Sequence, residues 1–431
     1  MQIYSTQQFG VDEILKRIRL KRSQREQVEL PVRNILEIVK NKGDEALYEY
    51  TKKLDGAELT SLSVEKEEIR QAYARVPVEV IRALKKAKNN IEKFQSQTIR
   101  WKEKPVETTP GVKLWREFRP IESVGLYVPG GKAAYPSTVL MLGIPAQLAG
   151  CKNIVMCTPP LPDGSCNPAV LVAADLCGIR QIFKIGGAQA IAAMAYGTKS
   201  VPKVLKIFGP GNQYVTTAKM LVYGEVDIDM PAGPSELLVI ADETAKPSWM
   251  AADLLSQLEH GEDSQSILIT TSRAYAKKVV QEMMKQLLVL PRKNIIQKSL
   301  QNSAVVIAAS LEEICAITNR YAPEHLEIAC RDNQKILAKI MNAGSIFLGK
   351  YSTEPLGDYA TGANHTLPTA GFAAMFSPLS PESFGKMVQI QKVSKQGARA
   401  LQKTVETLAQ TEGLTAHKNA VTIRQAEPQR G

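Results

Sequence analysis

The chain has 431 residues, of which 44% are hydrophobic and 23% charged, a composition typical of a globular protein of about three domains. Its formal net charge is +11, but the basic residues are dispersed and largely interleaved with acidic ones. No apolar run approaches the ~18 residues that a membrane-spanning helix needs. Composition and charge therefore argue against membrane proteins and give no specific sign of nucleic-acid binding.

The densest basic segment lies between Lys16 and Arg25. Leu15, Ile18 and Leu20 are interspersed in it, and aromatic residues are absent from it. This pattern indicates a solvated helix face or a docking arm rather than a phosphate-binding surface. The segment before it lacks the apolar core of a signal peptide, so export is not expected.

Six cysteines are spread along the chain without a C-x-x-C pair. This spacing predicts reduced thiols and a cytoplasmic location. Cys151 and Cys177 are candidates for a nucleophile, but no base adjoins either of them in the sequence. Structural roles are therefore expected for both cysteines.

Helical periodicity dominates the first hundred or so residues, as in Val32, Ile35, Leu36 and Val39. A passage punctuated by prolines, 105–120, follows and is a plausible domain border. From residue 124 short apolar β runs alternate with amphipathic helices, which predicts a parallel sheet covered on both faces.

A second alternating series runs from LLVIA at residue 237 to SIFLG at residue 345. Two series of this size predict an α/β fold of two doubly wound, Rossmann-like units with parallel sheets. We expect helical N- and C-terminal segments around them, with the tail helical from Pro381 onward.

Glycine clusters follow several strands of the first series, at Gly130–Gly131, Gly186–Gly187 and Gly209–Gly211. Loops at the carboxyl ends of parallel strands bind nucleotides in such folds, although glycine also serves tight turns. The standard fingerprints are absent, because Ala133 replaces the hydroxyl residue of a P-loop and Tyr214 the third glycine of a dinucleotide motif.

The four histidines each adjoin another polar residue instead of lying within an apolar run. In LLSQLEHGEDSQ, Gln257 and His260 are three residues apart on the predicted last turn of a helix that Gly261 ends. Side chains at this spacing lie on the same helix face and can bind one ligand together. Zn²⁺ is a candidate, because it accepts nitrogen and oxygen ligands. A solvated helix end explains the same pattern.

Two more polar segments are candidates for chemistry. Glu324 and His325 adjoin at the start of a β run, where neighbours face opposite ways and can serve successive proton transfers in one cleft. The segment GDYATGANHTLPT is predicted as a long loop carrying Asp358, Asn364 and His365. A solvated loop is the alternative for the first segment, and a mobile loop without a chemical role is the alternative for the second. For the four histidines as a set, the alternative is that they are scattered over the surface.

Several segments together resemble the histidinol dehydrogenase family, in the family's order and from about residue 120 to residue 423. They are VGLYVPGGKAAYPSTVLM, IGGAQAIAA, KIFGPGN, DMPAGPSELLVIAD, DLLSQLEHGEDSQ, NRYAPEHLEI, NAGSIFLGKYS, GDYATGANHTLPT and LTAHKNAV. Each string is weak by itself, but chance agreement over so many segments is negligible.

The resemblance implies a zinc-dependent enzyme that uses two NAD molecules in turn to oxidise L-histidinol through L-histidinal to L-histidine, the last step of histidine biosynthesis. It also implies a homodimer with one Zn²⁺ per subunit and an active site shared between subunits. The implied metal ligands are Gln257, His260, Asp358 and the partner subunit's His417. The other implied residues are the general bases Glu324 and His325, the substrate contacts Ser235, Gln257, His260, His325, Asp358, His365, the partner's Glu412 and the partner's His417, and the NAD contacts Tyr127, Gln189 and Asn212.

The element series and the resemblance together predict four regions. They are an N-terminal helical arm (1–30), a first α/β domain with the metal and substrate site (31–120 and 236–378), an inserted NAD-binding α/β domain (121–235) and a helical tail that reaches the partner subunit (379–431).

In the expected mechanism zinc orients the substrate, His325 takes the alcohol proton and Glu324 activates water on the aldehyde. Two other functions remain open at this point. One is a zinc hydrolase, in which Glu324 or His325 activates metal-bound water and the glycine loops are only turns. The other is a non-catalytic relative that retains the fold for binding or assembly. Neither a nucleic acid nor a membrane is expected as a partner.

Overall fold

The computed structural model describes residues 1–19, 25–130, 134–231 and 233–425. Residues 20–24 of the basic segment, Gly131 of the first glycine cluster and Ala133 lie outside the described residues. The chain forms two compact units. The first comprises Met1–Gln97 and Ile121–Phe384, and the second comprises Thr98–Pro120 and Gly385–Gly431.

Strands and helices alternate along most of the chain. The strands are β1 (Gln2–Ser5), β2 (Val106–Thr109), β3 (Val112–Pro120), β4 (Ser123–Tyr127), β5 (Asn153–Thr158), β6 (Gln181–Lys184), β7 (Lys206–Phe208), β8 (Asp227–Ile228), β9 (Glu236–Ala241), β10 (Gln265–Thr270), β11 (Ala304–Ile307), β12 (His325–Ala329), β13 (Ser345–Leu348) and β14 (Gly385–Val393). The α-helices are α1 (Thr6–Ile18), α2 (Arg25–Lys42), α3 (Asp44–Tyr50), α4 (Lys66–Arg75), α5 (Val78–Gln95), α6 (Pro136–Ala149), α7 (Pro168–Leu176), α8 (Gly187–Tyr196), α9 (Gln213–Val222), α10 (Pro247–Leu258), α11 (Arg273–Leu287), α12 (Lys293–Ser299), α13 (Leu311–Tyr321), α14 (Asn333–Leu337), α15 (Glu354–Tyr359), α16 (Lys395–Thr411) and α17 (Thr415–Gln425). Short π- or 3₁₀-helical turns lie at Thr51–Asp55, Leu300–Asn302, Phe372–Ala374 and Pro381–Phe384.

The first series forms a five-stranded sheet in the order β6-β5-β4-β7-β8, and all its pairs are parallel. The chain moves from β4 outward to β5 and β6, then returns to the other side of β4 for β7 and β8. The order therefore reverses between β4 and β7. In doubly wound folds a ligand crevice lies at such a switch point, outside the carboxyl ends of the strands.

The second series forms a six-stranded sheet in the order β1-β11-β10-β9-β12-β13, also with parallel pairs only. Its strand order reverses between β9 and β12. The N-terminal β1 is one of its two edge strands and pairs with β11 from Gln2↔Ala304 to Ser5↔Ile307. This strand was not predicted, because a four-residue segment ahead of a helix has too few positions to show a period of two.

Helices bury the apolar faces of both sheets. Val32 and Leu36 of α2 share a core with Ile191 and Ile207 of the five-stranded unit. Leu254 of α10 belongs to the core on one face of the six-stranded sheet, whose other face has a core of its own. Because these strands are buried on both faces, their sequences are continuous runs of apolar residues.

The second unit contains a three-stranded antiparallel sheet, β14-β3-β2, followed by α16 and α17. β14 pairs with β3 along nine residues, from Gly385↔Pro120 to Val393↔Val112. The predicted fold class of two doubly wound parallel units with helical end segments is confirmed. The prediction that the tail is helical from Pro381 is wrong for β14, whose alternating KMVQIQKV pattern is typical of a strand.

Two element boundaries near the candidate site also differ from prediction. The helix of Gln257 ends at Leu258 and not at His260, which follows its C-cap. Asp358 lies on α15 and not in a loop, because the TEPLGDY segment begins with a proline in the first helical turn, a common helix start. Among the described residues, no helix combines the length and apolar character needed to span a bilayer.

Candidate active site

The amino edge of the six-stranded sheet meets the carboxyl edge of the five-stranded sheet at the loop after α15. In this loop the ring of His365 lies 3.2 Å from the hydroxyl of Thr138 in the first turn of α6, measured from Nε2 to Oγ1. Asn364 donates a hydrogen bond of 2.7 Å to the carbonyl of Met141 on the same helix. On the other side, the amide of Ala370 donates to Glu236 at the start of β9, at 3.0 Å. The loop thus connects the two edges.

Glu324 and His325 lie at the amino end of β12, where the backbone is tightly fixed. The C-cap residue of α13 is Ala322, a non-glycine residue with a positive φ of 55°. The carbonyl of Glu324 accepts a 2.9 Å hydrogen bond from the amide of Ser345. A Cβ at Gly344 would lie 2.6 Å from that carbonyl oxygen, so this approach requires glycine. The side chain of Glu324 accepts a 2.8 Å hydrogen bond from the amide of Glu236.

The charges at this edge are strongly coupled. Burial raises the pKa of Glu324 to about 8. Burial alone would lower the pKa of His325, but the carboxylates of Glu324 and Asp358 outweigh it and raise that pKa to about 10. The two carboxylate oxygens lie 3.7 Å from Nδ1 and 3.5 Å from Nε2 of the ring, respectively. Burial would raise the pKa of Asp358, but the neighbouring His325 lowers it to about 2. Perturbed, coupled groups of this kind are typical of sites that move protons.

A possible metal site lies beside these groups. The ligand atoms of His260, Glu354 and Asp358 are all within 4.8 Å of one another. Gln257, one helical turn before His260, is fully buried, and neither its amide oxygen nor its amide nitrogen has a hydrogen-bond partner among the described residues. Leaving a buried polar group unpaired costs about 1–3 kcal/mol, so a further ligand is expected there. Amide, imidazole and carboxylate donors fit a divalent cation such as Zn²⁺.

Glu354 is a functional candidate that was not predicted. Its carboxylate accepts a 3.1 Å hydrogen bond from Ser256 and lies 3.8 Å from Nε2 of His260. Burial lowers the pKa of His260, but this carboxylate outweighs it and the net shift is upward. Glu354 and Asp358 are four residues apart on α15 and so lie on one helix face. That spacing was the available signal, and it was missed because Asp358 was predicted to lie in a loop that begins at Gly357.

The remaining predicted substrate contacts fall in two places. Nδ1 of His365 lies 3.0 Å from the carbonyl oxygen of Asp358, and burial lowers the pKa of His365. Ser235 directly precedes β9, next to the amide that holds Glu324. Glu412 and His417 belong to the second unit, at the end of α16 and on α17, where both are exposed.

The three predicted NAD contacts lie at the carboxyl edge of the five-stranded sheet. Tyr127 ends β4, and its hydroxyl accepts a 3.0 Å hydrogen bond from the amide of Gly187. Gln189 lies in the first turn of α8, and its buried amide oxygen has no partner among the described residues. Asn212 caps α9 by accepting from the amides of Tyr214 and Val215. The described glycines 186, 187, 209 and 211 also follow strands of this sheet, as predicted.

The two cysteines considered as nucleophiles are poorly suited to that role. Burial raises the pKa of both Cys151 and Cys177 to about 12. Because the thiolate is the reactive form, both remain unreactive thiols at neutral pH, in agreement with the structural roles expected for them.

Comparison with known proteins confirms the predicted family. The sequence profile described as histidinol dehydrogenase matches residues 18–425. A histidinol dehydrogenase from Bacteroides fragilis is 53% identical over 397 residues, which cover 92% of each chain. One from Methanosarcina barkeri is 48% identical over 399 residues, covering 93% of this chain and 92% of that one. The crystal structure of histidinol dehydrogenase from Elizabethkingia anophelis matches with a TM-score of 0.93 and 48% identity over 98% of both chains.

The chain therefore belongs to the histidinol dehydrogenase family. Enzymes of this family catalyse the last step of histidine biosynthesis, in which L-histidinol is oxidised to L-histidine with NAD.

Proposed function

We propose that the chain carries out both oxidations of its family, L-histidinol to L-histidinal and L-histidinal to L-histidine, where the two sheet edges meet. One observation carries this proposal. Glu324, His325 and Asp358 converge at the amino edge of the six-stranded sheet, beside a buried Gln257 that has no partner among the described residues. Two bases and an N/O donor set are what a metal-assisted alcohol and aldehyde oxidation needs.

The proposed cofactors are one Zn²⁺ per subunit and NAD. The metal ligands are Gln257, His260, Asp358 and the partner subunit's His417. These residues would hold the cation, whose positive charge would bind the amine and imidazole of histidinol and would offset the negative charge of the Asp358 carboxylate. NAD binds at the switch point of the five-stranded sheet, in contact with Tyr127, Gln189 and Asn212.

In the first oxidation His325 accepts the proton of the alcohol while the carbinol carbon transfers hydride to NAD⁺. The ring must be neutral to do so, which requires that the Asp358 carboxylate no longer stabilises the imidazolium. Nδ1 of His325 lies 3.3 Å from the carbonyl oxygen of Glu236, which orients the ring. His365 and Ser235 hold the substrate against the nicotinamide, and such orientation contributes up to about 7–11 kcal/mol in favourable cases.

In the second oxidation Glu324 acts on the aldehyde. Its ionised carboxylate takes a proton from the water that attacks the carbonyl carbon, and the resulting hydrate transfers hydride to a second NAD⁺. The pKa of about 8 makes Glu324 a stronger base than an ordinary carboxylate. The hydrogen bond from the amide of Glu236 fixes its orientation.

The assembly and the regional roles are also proposals. The enzyme is a homodimer in which the partner's Glu412 and the partner's His417 complete each active site, and the exposure of both residues in the single chain agrees with this. Residues 121–235 bind NAD and residues 236–378 carry the metal and substrate site. A cytoplasmic location is proposed because all six cysteines are free thiols.

The test is NADH production with L-histidinol, measured by absorbance with and without a chelator. We expect two NADH per histidinol consumed, loss of activity with the chelator and recovery with added Zn²⁺. A zinc hydrolase would not produce NADH, and a non-catalytic relative would turn over nothing. The absence of NADH from the zinc-loaded protein would overturn the proposal.

A further inference from the structure

The loop that follows β7 approaches the end of β4 very closely. Gly209 has a φ of 125°, a conformation that side chains rarely adopt. A Cβ at this position would lie 2.1 Å from the carbonyl oxygen of Tyr127. The loop therefore lies directly against the switch point of the five-stranded sheet, between the proposed NAD contacts Tyr127 and Asn212.

A buried ion pair holds both backbone polar groups of Gly209. The amide of Gly209 donates a 2.8 Å hydrogen bond to one carboxylate oxygen of Asp229, which directly follows β8. The ammonium of Lys219, on α9, donates a 3.0 Å hydrogen bond to the carbonyl of Gly209 and also binds the other oxygen of Asp229. That oxygen further accepts from the amide of Met230 at 2.7 Å. The two side chains are 3% and 1% exposed.

A contribution to folding stability is a weak explanation for a buried ion pair. Removing two charges from water is costly, and buried ion pairs can often be replaced by apolar groups without loss of stability. Here the pair links three consecutive elements, β7, α9 and β8, and it binds both backbone polar groups of Gly209 as well as the amide of Met230. Its clearest physical consequence is that the peptide groups of Gly209 cannot rotate.

We infer that Lys219 and Asp229 are positioning residues for NAD, which fix the loop from Gly209 to Asn212 in the conformation that receives the dinucleotide. The inference rests on the proposed function, since it presumes NAD at this edge. Neither residue touches the ligand, and both act through the backbone of Gly209. Without the pair the loop is free to move. Part of the binding free energy of NAD is then spent on ordering the loop, so NAD binds more weakly.

The test uses the zinc-loaded protein with the double substitution K219M/D229N, which leaves no buried charge unpaired. We expect the KM for NAD to rise about tenfold or more, as for two lost hydrogen bonds. The KM for histidinol and the kcat at saturating NAD should stay within about threefold. Thermal unfolding and the circular dichroism spectrum show whether the variant is folded.

A matched control comes from β7 and β8, the strands that directly precede Gly209 and Asp229. Lys206 at the start of β7 pairs with Asp227 of β8 at 2.9 Å, at the opposite end of the sheet, and their side chains are 16% and 50% exposed. The substitution K206M/D227N removes this pair, together with the contact of Lys206 with the ring of Phe208, and leaves the hydrogen bonds of Gly209 to Asp229 and Lys219 in place. Its KM for NAD should remain within twofold of the wild type.

Each outcome decides the inference. A folded K219M/D229N protein with an unchanged KM for NAD overturns it, as does an equal rise in the control. If the double variant does not fold, D229N alone serves, because its remaining oxygen can hold only one of the donors. Its KM for NAD should then rise about threefold, and no rise overturns the inference. A wild type that does not reduce NAD would instead overturn the proposed function.

Discussion

The two sheet edges that meet at the candidate site are built in opposite ways. The carboxyl edge of the five-stranded sheet carries glycine turns and helix starts around a switch point, the usual arrangement of a nucleotide site. The amino edge of the six-stranded sheet instead presents the starts of β9 and β12, the end of α10 and one face of α15. Charged groups cluster at this second edge.

This difference assigns cofactor binding to the first edge and metal binding and proton transfer to the second. Backbone amides and glycines at the first edge suit a large ligand that the protein binds without exchanging protons with it. Proton transfer at the second edge instead requires side chains with shifted pKa values. Placing those side chains at strand starts keeps them on rigid elements. Substitutions at the second edge should therefore change metal binding and catalysis, whereas substitutions at the first edge should change the KM for NAD.

The substitution His260→Asn should have the largest effect, because it removes a proposed metal ligand. We expect bound zinc to fall close to zero and kcat to fall by roughly a thousandfold. Elemental analysis and NADH absorbance measure the two quantities. The control is Glu259→Gln, at the C-cap of the same helix, which should retain zinc. Full zinc and full activity in the His260 variant would remove this residue from the coordination set.

The substitution Glu324→Gln should impair the aldehyde step more than the alcohol step. The amide cannot accept the proton of water, so oxidation of histidinal should slow about a hundredfold or more. Histidinol and histidinal are supplied separately, and the first NADH is followed in a single turnover. Glu236→Gln is the matched control, since its carboxyl group is also buried at this edge but is bound by Tyr321 and Ala370. Equal losses in both steps would refute the division of roles.

The substitution Glu354→Gln should weaken zinc binding without abolishing it. Loss of a carboxylate beside His260 is expected to lower the affinity by about ten- to a hundredfold. Competition with a chelating dye measures this affinity. Ser256→Ala removes only the hydroxyl that binds Glu354 and should change it less. An unchanged affinity in the Glu354 variant would assign this carboxylate a structural role only.

Oxidation of histidinal should accelerate with pH up to about 8 and then level off. Burial raises the pKa of Glu324 to about 8, so below that pH the group is mostly protonated and cannot act as a base. The rate should therefore fall toward tenfold per pH unit on the acid side. The pH profile of kcat/KM for histidinal measures this. A profile without this limb in the wild type, or an unchanged limb in Glu324→Gln, would contradict the assignment.

The substitution Tyr127→Phe should have the smallest effect. It removes one hydrogen bond to the amide of Gly187 at the NAD edge, and we expect the KM for NAD to rise about fivefold. The KM for histidinol should not change, because the two edges have separate tasks. A larger rise for histidinol than for NAD would break the comparison between the edges.

Much of the fold could be predicted from the sequence, because strands buried on both faces appear as continuous apolar runs and the intervening helices as periodic ones. β1 and β14 were not predicted, and neither were β2 and β3 within the proline-punctuated passage 105–120. β1 is too short for a pattern. β14 follows prolines and pairs with β3, which precedes it by 265 positions at the register Gly385↔Pro120. Pairing over such separations leaves little trace in a single sequence.

The site was less predictable by residue pattern alone. Patterns brought out Glu324 with His325 and Gln257 with His260, since each pair is close in the chain. They could not show that His365 meets Thr138 across 227 positions, or that Glu354 lies beside His260. The family resemblance supplied the metal and substrate roles, but Glu354 was recognised only from its position in the structure.

The most direct test of the central claim is anomalous diffraction at the zinc edge from crystals of the purified protein. We expect one peak per subunit, about 2.0–2.2 Å from an oxygen of Gln257, a ring nitrogen of His260 and an oxygen of Asp358. The fourth bond should come from the partner subunit's His417. A peak elsewhere, or an Asp358 carboxylate directed away from Gln257 with no metal between them, would contradict the account.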